Sequence, residues 1–270
     1  MNPRAVQVVF VHGWNNHPGI WKRLIRQIES PALPCWNFDH SLYNSAPLSE
    51  AATMLQDYIG TMRTNSGYSG PIDIVCHSMG TCIARYLLEV LEGNAPDGRV
   101  RQLIGIGPPN NGSSLAELFI DPFYGPQVVD QLTGVFVPDD FDPADDVTVQ
   151  EFRPGSPTMT TLKHAGIRDD IRYRIILGSN TTATPAFFPW FEGKTWDRTP
   201  GGGWHMTYDG DGIVSHRDSY LSGASVEILP ADPVGFSRAP DQYCHIQLPR
   251  TPEVMDRVRG YLDTTPVNPP

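Results

Sequence analysis

The chain of 270 residues holds one serine whose neighbours could turn it into a nucleophile. Ser78 lies in "IVCHSMG" (74–80), between an apolar β-branched run and "MGTCIARYLLEVLEG", which has helical periodicity. A serine hydroxyl is a weak nucleophile at neutral pH. It needs a histidine to take its proton, an acid to orient that histidine, and N–H donors for the oxyanion that forms. A tight strand-to-helix turn supplies the exposure. Residues two before and two after the serine must then be small, because strand and helix pass close together. Gly80 meets this on one side, and Cys76 is small enough on the other. Downstream, "YDGDGIVSHRDSY" offers the acids Asp209, Asp211 and Asp218, and "DQYCHIQLP" offers His245. Asp209 competes with Asp211 for the acid's place. His205 and His216 compete with His245, although both lie close to the acid loop. His12 and His77 adjoin the site in sequence and are expected to hydrogen-bond backbone. The thiol of Cys76, at a strand end, is expected to be inert, and Cys244, on a loop, to be the more oxidisable.

Elements that could position these residues follow from the apolar patterning. "AVQVVFV" (5–11), "CWNFD" near residue 35, Ile72–Cys76, "VRQLIGIG", "IRYRIILGS" and "ASVEILP" read as strands. Residues 20–28 have helical spacing. "SEAATMLQDYIGTM" reads as a helix capped by Ser49, and the helix after Ser78 as one ending at Gly93. "TPEVMDRVRGYL" reads as a terminal helix capped by Thr251 with Pro252 in its first turn. Strands alternating with helices predict a mostly parallel central sheet with helices on both faces. The alternation breaks over 113–168, which reads as an insertion over one end of the sheet. Within it "DDFDPADDVTVQE" reads as a solvated loop, because its spacing is not that of an EF-hand. The aromatic stretch 181–205 reads either as a packed surface loop or as an apolar wall beside a substrate site.

Composition narrows the function classes. Hydrophobic residues make up 40% of the chain, ordinary for a globular protein. A net charge of −10 without a basic patch argues against nucleic-acid binding. The densest basic cluster, Lys22, Arg23 and Arg26, reads as a solvated helix face. No apolar run has the ~18 residues that span a bilayer. The N-terminus has no signal-peptide pattern, so a cytoplasmic location is expected unless a leader has been removed. The four cysteines lack metal-ligand spacing and are expected to be reduced. No metal and no cofactor are expected.

Four pieces in order then carry a resemblance: "FVHGW", "HSMG", "GPPNNGSS" and "GDGIVS". Together they resemble the oxyanion segment, nucleophile turn, following loop and acid loop of bacterial lipases and esterases of the α/β-hydrolase superfamily. "FRPGSPTMTTL" is similar to the segment that re-enters the sheet after a lid. The chain departs from the family at Cys76, where the turn usually has glycine, and at "GPP". The resemblance implies an α/β-hydrolase fold in one domain, 1–270, with a lid or cap insertion at 113–168. It implies the chain order Ser78, Asp211, His245 as nucleophile, orienting acid and general base. It also implies backbone N–H donors at Trp14 and Met79 for the oxyanion. The expected activity is hydrolysis of acyl esters with apolar acyl chains, with transient contact with a lipid surface compatible. Hydrolysis of small soluble esters, thioester cleavage, acyl transfer and a silent binding module stay open.

Overall fold

The protein is described by a computed structural model covering residues 6–43, 45–93, 99–180, 191–232, 234 and 238–264. In chain order its strands are β1 (Gln7–Val11), β2 (Cys35–Phe38), β3 (Ile72–His77), β4 (Val100–Ile106), β5 (Arg172–Gly178), β6 (Thr195–Arg198), β7 (Trp204–Thr207) and β8 (Ser225–Leu229). Six of them form one parallel sheet in the order β2-β1-β3-β4-β5-β8. The apolar runs read as strands in the sequence all fall in this sheet. β1, β3 and β4 are buried on both faces, which is why they are mostly apolar and do not alternate with exposed polar residues. Successive side chains enter opposite layers: Val9 and Val11 one core, Val8 and Phe10 the other. Each such side chain, fully buried, contributes about 1.5–3 kcal/mol.

The helices are α1 (Lys22–Ile28), α2 (Leu48–Ser66), α3 (Met79–Arg85), α4 (Ser114–Phe119), α5 (Gly125–Leu132), α6 (Val147–Phe152), α7 (Pro157–Ala165), α8 (His216–Ser219) and α9 (Pro252–Thr264). Residues of α1 and α9 pack on one face of the sheet and residues of α2 and α3 on the other. Lys22, Arg23 and Arg26 lie exposed on α1. The one acid of the β3 run, Asp73, is fully buried. Arg101 donates to it at 2.7 Å and Gln102 at 2.9 Å, which removes the cost of a lone buried charge.

Several local expectations are corrected. Ser49 does not cap α2. The helix starts at Leu48, whose N–H donates 2.6 Å to the Glu151 carboxylate of α6, a partner about a hundred residues away in sequence. Thr251 does precede α9 and its carbonyl accepts from Met255 N–H at 2.9 Å, but its hydroxyl donates to the Gln242 and Gln247 carbonyls instead of accepting from an α9 N–H. The helix after Ser78 does end at Gly93 as expected: α3 continues as a π-helical turn, Tyr86–Leu91, and Gly93 follows with φ 57°. The acidic stretch is only partly loop, since Asp146 caps α6 by accepting from Val149 N–H at 2.8 Å. Of 181–205, residues 181–190 lie outside the described residues. The rest forms the antiparallel β6-β7 hairpin, with Phe191 and Trp196 packed in the core. Between β4 and β5 the chain forms α4 to α7 and no strand of the sheet.

Candidate active site

Ser78 closes β3 and opens α3. Its backbone has φ 54°, a left-handed conformation rare for a residue with a Cβ and held here by the surrounding structure. The Ser78 N–H donates 2.9 Å to Ile106 O of the neighbouring strand. The turn can be this tight because Gly80 has no side chain. A Cβ there would sit 2.4 Å from His12 O and 2.6 Å from Val11 O, both main-chain atoms that cannot step aside. Cys76 lies fully buried in register between Val11 and Gly105. Burial pushes its thiol well above the ordinary range, so it stays protonated.

His245 reaches the serine from the loop before α9. Its Nε2 lies 2.9 Å from Ser78 Oγ and its Nδ1 lies 2.8 Å from Asp211 Oδ2. His245 and Asp211 are almost fully buried, and Ser78 is partly exposed. The other Asp211 oxygen accepts from the Ile213 and Val214 N–H groups at 3.1 and 2.8 Å, which fixes the carboxylate and leaves Oδ2 for the imidazole. The His245 N–H donates to Asp211 O at 2.9 Å, tying the two loops together. Two strand-end glycines make room. A Cβ on Gly107, at φ 57°, would meet Asp211 Oδ2 at 2.9 Å, and one on Gly178 would meet Asp211 Cβ at 2.9 Å.

The competing residues lie elsewhere. Asp209 is exposed, and Asp218 is buried against Ser114 N–H at 2.6 Å. His205 is exposed and lies 4.0 Å from Asp197, while His216 contacts Gly178 O at 2.9 Å. His77 contacts backbone, its Nε2 3.0 Å from His245 O, and burial pulls its pKa well below the ordinary value. Cys244 is buried and its thiol is pushed up to about 12 by burial, so the oxidisable loop cysteine expected there is corrected to an inert one. All four cysteines are free.

Met79 is the first residue of α3, a position whose N–H has no partner within the helix. Among the described residues neither the Met79 nor the Trp14 N–H donates to a protein acceptor. Both residues line, with Ser78, a small cavity. Its other walls are mostly apolar, with Leu115 and Phe119 of α4, Val149 and Phe152 of α6, and Ile213 and Val214 beside the acid. The apolar wall therefore comes from 113–168 and the acid loop. Residues 191–205 are not among its lining, so for these residues the packed-loop alternative fits and the apolar-wall alternative does not. A second small cavity adjoins Ser78 on the His245 side and is bordered by Asn15, Asn16 and Val135. Trp14 and Phe136, with ring centroids 5.7 Å apart, line both cavities, as does Ser78. No group of three or more metal-ligating side chains occurs among the described residues.

Sequence reasoning missed His40, Phe136 and the two strand-end glycines. The glycines had a signal, each ending an apolar run. His40 and Phe136 had none, because only tertiary packing brings His40 against His12 and Phe136 into the cavities beside Ser78.

A family model described as a domain of unknown function (DUF7379) matches residues 24–135. No curated protein matches the chain. Among solved structures the chain is similar to the mature form of the Bacillus licheniformis lipase BlEst2, at 17% identity and TM-score 0.64, over 97% of this chain and 93% of that one. It is similar to the lin2722 gene product of Listeria innocua at 16% identity and TM-score 0.57, over 96% and 94% of the two chains. The metagenomic carboxyl esterase MGS0156 aligns at 13% identity and TM-score 0.58, over 97% and 77%. With the parallel sheet and its flanking helices, this likeness establishes the α/β-hydrolase fold.

Proposed function

We propose that the protein is a serine hydrolase of carboxylic esters, with Ser78 as nucleophile, His245 as general base and Asp211 as the orienting acid. The observation that carries this is the continuous chain of contacts from Ser78 Oγ through His245 to Asp211, at 2.9 and 2.8 Å. Ser78 Oγ attacks the ester carbonyl carbon as its proton passes to His245 Nε2. The resulting oxyanion accepts from the Trp14 and Met79 N–H groups, the latter at a helix start where the dipole favours negative charge. His245 then gives the proton to the departing alkoxide, and water releases the acid from the acyl-enzyme by the same steps.

The two cavities fit the two halves of such a substrate. The leaving alcohol takes its proton from His245, so it belongs in the cavity that His245 borders, where Asn15 and Asn16 offer hydrogen bonds. The acyl chain takes the apolar cavity. Segment 113–168 acts in this scheme as a lid, since its side chains form most of that cavity's wall. Exposed Phe123 and Tyr124, just before α5, and Val135, just after it, suit transient contact with a lipid surface. The nearness of an acceptor site to His245 also favours a second reading, acyl transfer to an alcohol other than water.

The test is hydrolysis of p-nitrophenyl esters from acetate to palmitate by wild type and Ser78→Ala. Activity that vanishes in the variant is expected, with a chain-length optimum set by the apolar cavity. Equal rates in both proteins would contradict the proposal. Ester formation from added glycerol at the expense of free acid would select acyl transfer.

A further inference from the structure

Beneath the Trp14 loop lies a pair of buried imidazoles that the reaction as written does not use. The rings of His12 and His40 stack at 3.8 Å with planes 8° apart. Both residues are at most 1% exposed. The contacts between them are reciprocal. The main-chain N–H of His40 donates 3.2 Å to His12 Nε2, and the His40 Nε2–H donates 3.0 Å to His12 O. Because His12 Nε2 must accept, the ring proton of neutral His12 is on Nδ1, where it donates 2.9 Å to Gly13 O. Burial lowers the pKa of both rings and keeps them neutral. The nearest charge is the Asp39 carboxylate, 3.6 Å from His12 Nε2 and more than half exposed.

We infer that His12, with its tautomer set by His40, is a positioning residue that aims the Trp14 backbone N–H at the reacting oxygen. Gly13 C=O and Trp14 N–H belong to one peptide unit, which is planar and trans, so they point in opposite directions. Tethering the carbonyl to the His12 ring therefore turns the N–H the other way. Gly13 itself is pressed against the nucleophile, since a Cβ there would lie 2.9 Å from Ser78 Cβ. Gly80 abuts His12 O from the helix side, so that carbonyl too has little freedom. The assignment rests on the ester-hydrolase proposal above.

The test compares wild type with His12→Phe, which keeps the stack but not the Nδ1–H, and with His12→Asn, whose side-chain N–H can reach the same carbonyl. Losing one oxyanion donor costs roughly 10²–10³ in kcat, so a misaimed one should cost roughly 10–100-fold in His12→Phe. KM should hold. Affinity for an alkyl boronic acid, which forms a tetrahedral adduct on a serine, should fall with kcat, and His12→Asn should recover much of both. A purely structural role would lower thermal stability without this split. Imidazole nitrogen NMR of the wild type needs no variant and should find the His12 proton on Nδ1. A folded His12→Phe protein with wild-type kcat, or a His12 proton on Nε2, overturns the inference while ester hydrolysis stays dependent on Ser78. Hydrolysis equal in Ser78→Ala and wild type would instead remove the parent proposal and this one together.

Discussion

Asp211 shows how much one side chain can decide. One carboxylate oxygen is held by two backbone N–H groups and the other by the imidazole of His245. Asp211→Asn keeps the shape but offers an N–H or a weaker acceptor to Nδ1, so the imidazole loses its orientation and tautomer. We expect kcat to fall by roughly 10⁴ with little change in KM, as when the acid of such a triad is neutralised. Asp209→Asn, two residues away and exposed, should leave both constants alone. Steady-state kinetics on the two variants separate the candidates. Ser78, Asp211 and His245, whose side chains the fold brings into contact, could be singled out in the sequence because each sits in a short local pattern. Cys244 was misread because its exposure depends on packing against distant strands. His40 carried no signal, since its use depends on a stacking partner 28 residues away in sequence.

At the level of elements, two glycines should respond to alanine with opposite sign. Gly80, in the first turn of α3, faces the Val11 and His12 carbonyls at the end of β1, and the added Cβ would overlap main chain at 2.6 and 2.4 Å. Gly80→Ala should destabilise by roughly 1–3 kcal/mol or more, as overpacking does. Gly60 lies inside α2, exposed, with nothing near the position of a Cβ. Gly60→Ala should stabilise by about 0.4–1 kcal/mol, because it restricts the unfolded chain. Urea melts of both variants check the pair. In the apolar cavity, Val149→Phe fills space lined by α4 and α6 and should move the acyl-chain optimum toward shorter esters. Rates across the p-nitrophenyl series measure that shift. The sheet was readable because strands buried on both faces are mostly apolar. The start of α2 was not, because its capping acceptor, Glu151, comes from another helix. Helices α5 and α6 and the β6-β7 hairpin were missed because their segments are short and rich in Pro, Asp or Gly, and tertiary contacts hold them.

Across the whole molecule, buried neutral histidines couple stability to pH. Burial, helped by His12, lowers the pKa of His40 to about 4, and His77 is also shifted well down by burial. In the unfolded chain both titrate near the ordinary value of about 6.5. Below that pH the unfolded state binds protons the native state refuses, so stability falls as pH drops. The His40 contribution is full above about 6.5, declines at up to about 1.4 kcal/mol per pH unit, and is spent once pH passes below about 4. Denaturant midpoints from pH 7 to pH 4 should fall, and His40→Phe should flatten the slope. A slope unchanged in that variant would contradict the coupling. The net charge of −10 locates no site, and the candidate site comes from short motifs brought together by the fold.

The most direct measurement is intact-mass analysis after treatment with an alkyl fluorophosphonate, which phosphonylates an activated serine. Wild type should gain one adduct on Ser78, His245→Ala should react far more slowly, and folded Ser78→Ala should gain none. A folded wild type that gains no adduct, or a Ser78→Ala protein labelled as fast as wild type, would contradict the central claim that Ser78 is an activated nucleophile.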